Sequence, residues 1–162
     1  IQEQNAPAQF WSTDVPLYVE NGATSMVVLP SDTFKISCTV AFGETALDTQ
    51  FYSLEVTPEN FEKELGPCRT FVAYRDLAQL IAAELAKGGS LDNAVILHDG
   101  AIISNDGLRF PNELVRHKIM DMVGDLYLTG KRVRAHVIAI KPGHSTNVQL
   151  ANLMLARETA QK

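Results

Sequence analysis

The run Arg116-His117-Lys118-Ile119-Met120-Asp121-Met122-Val123-Gly124-Asp125 places a histidine and two aspartates four residues apart. On a helix, positions four apart share a face. His117 and Asp121 then point the same way, an imidazole and a carboxylate able to hold one divalent metal. Asp125 falls a turn further along the same stripe, and Lys118 is rotated from it by about 100°. Ile119, Met120, Met122 and Val123 form an apolar flank. A solvated amphipathic helix has the same pattern, so the spacing alone does not choose between site and surface. A hydrolytic zinc centre needs about three protein ligands and an open position for water. His117 and Asp121 supply two, and no third residue has a compelling spacing. His136 sits in an apolar strand pattern and suits a structural role; His98, at a hairpin tip, suits an exposed one. A second constellation pairs Asp125 with His144 of Lys141-Pro142-Gly143-His144. A carboxylate bonded to one ring nitrogen fixes an imidazole's orientation and stabilises its imidazolium, which can then steady developing negative charge or protonate a leaving amine.

Elements of strand character lead up to this helix. Leu17-Tyr18-Val19 precedes the turn signal Asn21-Gly22, and Met26 to Leu29 precedes Pro30. Phe34 to Phe42 alternates, with Phe34, Ile36, Cys38 and Val40 on one face, and Phe51 to Val56 is another short strand. Thr57 and Pro58 form a helix start with Thr57 as N-cap, Phe61 and Leu65 are its buried face, and Gly66-Pro67 stops it. Arg69 to Val72 is extended. A helix follows from Tyr74 to about Lys87, with Leu77, Leu80, Ile81 and Leu85 at helical spacing. Ala94–Leu97 and Ala101–Ile103 flank His98-Asp99-Gly100 as a tight hairpin. Asn112 caps the helix carrying the HxxxD stripe, which ends near Gly130. Val133–Ile140 is a buried strand, and a last helix starts at Ser145 or Thr146. This succession predicts an α+β fold, a two-layer sandwich with a mixed or antiparallel sheet and helices packed on one face. Residues 1–15 are polar and irregular, a linker or flexible arm, and residues 16–162 form the folded unit.

Composition narrows the function classes. Apolar residues at 46% and charged residues at 20% are ordinary globular values. Fourteen basic residues against nineteen acidic ones give a net charge of −5, and the one notable basic cluster is Lys131, Arg132 and Arg134. Nucleic-acid binding therefore has no compositional support. Two cysteines, Cys38 and Cys68, are too few for a disulfide framework and fit a reducing compartment. No run approaches the ~18 apolar residues of a membrane span. A chain that begins at Ile1 without methionine is expected to be a piece of something longer.

Three segments in order carry a resemblance: Arg69-Thr70-Phe71; Asp106-Gly107-Leu108-Arg109-Phe110 running into Glu113 to Leu126; and Lys141-Pro142-Gly143-His144. Together they resemble the C-terminal half of the zinc-dependent UDP-3-O-acyl-N-acetylglucosamine deacetylases of lipid A synthesis, enzymes of the Gram-negative cytoplasm. The resemblance implies that His117 and Asp121 are two of three zinc ligands, that His144 is the catalytic histidine, that Asp125 orients it, and that Thr70 helps hold the oxyanion. It implies that Lys118 and Lys141, with Asp76 close by, face the sugar nucleotide and its diphosphate, and that Phe42 contacts the uracil. The stretch from about 71 to 103, beginning at Phe71, would be a βαβ insert forming an apolar passage for the acyl chain, with Tyr74 and Leu91 as candidate lining. A plain core helix has the same periodicity as the passage helix. The family's third ligand, a histidine, and its glutamate base lie in an HxxEH-like helix of the N-terminal lobe, and no such run exists here. This chain is thus expected to be the second, C-terminal lobe, inactive alone and completed by a missing N-terminal lobe. Ala73, Pro142 and Ser145-Thr146 depart from the family pattern around the passage and the histidine loop. The alternative is a non-catalytic module that binds a sugar nucleotide or an acyl chain without a complete metal site.

Overall fold

The computed structural model describes residues 5–41, 49–85 and 87–160. In chain order the elements are β1 (Phe10–Ser12), β2 (Leu17–Asn21), β3 (Thr24–Pro30), β4 (Phe34–Ala41) and β5 (Thr49–Glu55). A short helix α1 (Pro58–Asn60) then runs into a π turn over Phe61–Leu65. After it come β6 (Thr70–Ala73), α2 (Tyr74–Ala82), β7 (Ala94–His98), β8 (Ala101–Ile103), α3 (Glu113–Leu126), β9 (Arg132–Ile140) and α4 (His144–Ala160).

β9 is the spine of the larger sheet, ordered β2-β3-β9-β4-β5. β3 runs antiparallel to it and β4 parallel, so the C-terminal ends of β4 and β9 lie side by side, Thr39 opposite Ile140. Helices α3 and α4 cover one face. Met26, Val28, Ile36, Cys38, Ala135, Val137 and Ala139 from the sheet meet Val115, Ile119, Met122, Leu126, Leu150 and Met154 from the helices in one core. The fold is α+β, as the succession of elements predicts.

A second, three-stranded sheet is built from β6, β7 and β8. β6 and β7 are parallel with α2 between them, a βαβ unit, and β8 returns antiparallel. The β7–β8 turn has positive φ at both Asp99 (45°) and Gly100 (77°), the two-residue geometry that matches strand twist.

Several boundaries differ from the sequence expectation. Residues 10–12 are not part of an arm: β1 pairs parallel with Arg132–Arg134. Trp11 is 3% exposed and its Nε1 donates to the Met154 carbonyl at 2.9 Å, an inward-facing indole that the polar neighbours conceal. Helix α2 ends at Ala82 rather than near Lys87. Glu84 is left-handed (φ 58°), and the bonds Glu84 N–H to Ile81 O and Leu85 N–H to Leu80 O close a Schellman motif. Asn112 precedes α3, but its side chain makes no cap bond; its Oδ1 accepts from Arg116 Nε instead. Helix α4 begins at His144, because Thr146 Oγ1 accepts the Gly143 N–H at 3.1 Å and Asn147 N–H bonds the Gly143 carbonyl.

Candidate metal and catalytic site

Helix α3 is held in one rotation by contacts on two sides. The Arg116 guanidinium is sandwiched between the Tyr52 ring at 3.9 Å and the Phe110 ring at 4.2 Å, and pairs with Glu64. Ile119, Met122 and Leu126 are locked into the core. The remaining face presents His117, Asp121 and Asp125. His117 Nε2 lies 3.3 Å from Asp121 Oδ1. Ligand atoms about 2.0–2.2 Å from one tetrahedral zinc are separated by roughly 3.3 Å, so this spacing fits two corners of such a site.

Burial pushes the His117 imidazole below its usual range, opposed by the Asp121 carboxylate. The ring therefore stays neutral, with a lone pair to offer, at physiological pH. Its buried Nδ1 has no hydrogen bond of good geometry, although the Cys68 backbone lies close enough to favour the protonated ring. Among the described residues no group of three or more His, Cys, Asp or Glu side chains could hold a metal ion.

Asp121 is the hub of the cluster. Its Oδ2 accepts Lys118 Nζ at 2.9 Å and lies 3.9 Å from His144 Nε2. The other nitrogen of His144, Nδ1, is 2.9 Å from Asp125 Oδ2. The loop before α4 makes this meeting possible. Lys141 adopts φ 51° and is pinned by its N–H to the Thr39 carbonyl at 2.8 Å and by Thr24 Oγ1 to its own carbonyl at 2.7 Å. The chain leaving β9 is thereby turned back over α3.

The other predicted positions are distributed unevenly. The Phe71 ring meets His117 edge-on at 6.0 Å and lies 5.3 Å from the Lys118 ammonium; Thr70, the exposed first residue of β6, lines a groove beneath α2. Lys141 is exposed and forms no ion pair among the described residues. Asp76, 57% exposed, lies 3.9 Å from Arg75, and among the described residues no bond joins it to the cluster. Phe42 lies outside the described residues. His136 bonds Ser37 Oγ at 2.8 Å across the sheet, and His98, half exposed, faces Asp99 at 3.6 Å.

A family model described as UDP-3-O-acyl N-acetylglycosamine deacetylase matches residues 1–156. The chain belongs to this family. It is 44% identical over 156 residues to the UDP-3-O-acyl-N-acetylglucosamine deacetylase of Chlamydia trachomatis serovar L2, covering 96% of this chain and 54% of the relative. Against the enzymes of the same name from Chlamydia muridarum and Chlamydia felis the identities are 42% over 156 residues and 43% over 141. The chain spans about half the length of the curated relatives it matches.

Within this family member, two further features adjoin the cluster. Asn147, wholly buried, donates from Nδ2 to Asp125 Oδ2 at 2.8 Å. Its place at i+3 from His144 is the only sequence signal for it. The second feature is a groove of about 680 Å³ between α2 and the small sheet, lined by Thr70, Phe71, Leu77, Leu80, Ile81, Leu85 and Leu91 among others. No α2 residue is buried, so this helix is not a core helix. Leu91 lines this groove; Tyr74 packs against His98, with ring centroids 4.5 Å apart and planes tilted by 50°.

Proposed function

We propose that this chain supplies one half of the active site of a zinc-dependent hydrolase that removes the N-acetyl group of UDP-3-O-acyl-N-acetylglucosamine, and that it is the C-terminal lobe of that enzyme. The observation that carries this reading is the convergence of His117, Asp121 and His144, with Asp125 behind the last, in a member of the deacetylase family. His117 Nε2 and Asp121 Oδ1 are the metal ligands, and a third ligand and a carboxylate base come from the remaining half of the protein. A zinc ion held by His117 and Asp121 would supply Lewis acidity to the reaction centre.

The chain's own residues do the rest. His144, its Nδ1 engaged by Asp125, presents Nε2 to the reacting centre. There it donates a hydrogen bond to the oxyanion as water's oxygen adds to the carbonyl carbon, then passes a proton to the departing nitrogen as the C–N bond breaks and acetate leaves. The Thr70 hydroxyl donates a second bond to the oxyanion. Lys141 attracts the diphosphate as a point charge. Lys118 has given one of its three N–H donors to Asp121 and has two left for substrate. The groove beneath α2 receives the acyl chain in apolar surroundings. Two free, buried cysteines support a cytoplasmic setting, and no described helix is long and apolar enough to cross a membrane.

The test is hydrolysis of the UDP-acylglucosamine by the complete protein, with and without a chelator, followed by metal readdition. Acetate release that the chelator abolishes and zinc restores is expected. Binding of the substrate without any release of acetate, at full metal loading, would instead identify a sugar-nucleotide or acyl-binding module.

A further inference from the structure

The entrance and exit of the βαβ unit are tied to one side chain. Glu113, at the first turn of α3, is wholly buried, yet its carboxylate accepts four bonds. Each oxygen accepts two: Oε1 takes Arg69 N–H and Arg69 Nε, both at 2.9 Å, and Oε2 takes Arg69 Nη2 at 3.0 Å and Arg109 N–H at 2.7 Å. Arg69 Nη2 also reaches the Gly107 carbonyl at 2.5 Å. Arg69 is the residue before Thr70, where the chain enters the unit; Gly107 and Arg109 lie where it leaves. Glu113 itself is one helical turn from His117.

From this we infer that Glu113 is a positioning residue that couples the acyl groove to the reaction centre. It fixes Thr70 and the groove against the helix carrying His117 and Asp121, so that an acyl chain bound in the groove sets the acetamide against the catalytic groups. The inference rests on the deacetylase reading above. Binding energy from a remote part of a substrate raises turnover only through a rigid connection to the reacting atoms, and this joint is that connection.

The experiment compares, in the complete enzyme, kcat on a long-chain 3-O-acyl substrate with kcat on its 3-O-acetyl counterpart. Wild type turns over the long-chain substrate faster. Glu113→Gln lowers that long-to-short ratio by about tenfold, and Glu113→Asp, which keeps the charge, restores part of it. A loss of folded enzyme scales both substrates alike and leaves the ratio intact. Because Glu113→Gln leaves Arg69 as an uncompensated buried charge, the charge-free pair Arg69→Met with Glu113→Leu is measured as well, and gives the same fall. Glu64→Gln, which loosens the opposite side of α3, keeps the wild-type ratio. A folded Gln variant or apolar pair with an undiminished ratio overturns the coupling, as does a wild type indifferent to acyl length. A wild type with no deacetylation at all overturns the functional reading instead.

Discussion

Two imidazoles and two carboxylates meet in one cluster, and the function proposed above gives each a separable task whose removal leaves a different signature. In the proposed reading Asp121→Ala takes away a ligand atom 3.3 Å from His117 Nε2, so the complete protein is expected to lose its zinc, as read by elemental analysis after desalting. In the same reading His144→Ala removes a proton donor and no ligand. The expected result is a fall in kcat of ~10² to 10⁴ with metal content still stoichiometric. Asn147→Ala leaves Asp125 its bond to His144 but takes the Nδ2 donor from the same oxygen, and a smaller loss in kcat with unchanged metal content is expected. The four-residue period of α3 made the His117–Asp121 pair legible, because helix geometry dictates who shares a face. Lys118 was harder: its rotation of about 100° from His117 points away from the stripe, but its i+3 relation to Asp121 brings the ammonium to 2.9 Å. The contact of His144 with Asp125 was open to guesswork only, since it depends on how the Lys141 turn redirects the chain, and φ 51° at a lysine is not a property that sequence declares.

Among elements, the strands and helices with strong periods were legible, whereas those fixed by single tertiary contacts were not. β1 is three residues long and exists because Trp11 is inserted into the core under α4. Trp11→Ala is therefore expected to destabilise the fold by about 3–5 kcal/mol in urea unfolding, far more than a residue in a flexible arm would. Helix α2 presents the opposite case, a strong apolar period with no buried residue. Leu85 is 75% exposed while lining the groove, so Leu85→Ser should shift stability by no more than ~0.5 kcal/mol and yet weaken long-acyl substrate binding, read as a raised KM. The joint at the start of α3 carries a pH signature. Burial pushes the Glu113 carboxyl up, but the bonds from Arg69 and from the backbone of Arg69 and Arg109 outweigh it and hold the carboxyl below its usual range. An unfolded glutamate titrates near pH ~4.3. The stabilisation is then fully present above that pH and is lost as pH falls through the lower, folded-state value. The stability gap between wild type and Glu113→Gln should be constant from neutral to mildly acidic pH and close in stronger acid.

For the whole molecule, the decisive quantity is how much of a metal site one half can hold. Tyr127 and Leu128, in the turn just past the C-terminal end of α3, stand 63% and 67% exposed, and the chain spans about half the length of the relatives it matches. In the proposed reading, the other half brings the third ligand. His117 is already neutral through burial and set against Asp121, so the pair is pre-organised and should bind zinc weakly rather than not at all. A metal must, however, compete with the Lys118 ammonium on Asp121, and two ligands leave much of its coordination to water. Calorimetry should therefore find zinc binding by this chain weaker by ~10² or more than by the complete protein, since loss of an outer-shell partner alone costs 10- to 100-fold. Lys118→Met, which removes the competing charge, should tighten binding by the chain alone while Asp121→Ala abolishes it. Equal affinity of the chain and the complete protein would mean that the ligand set closes within this half, and the division of the site between two lobes would be wrong.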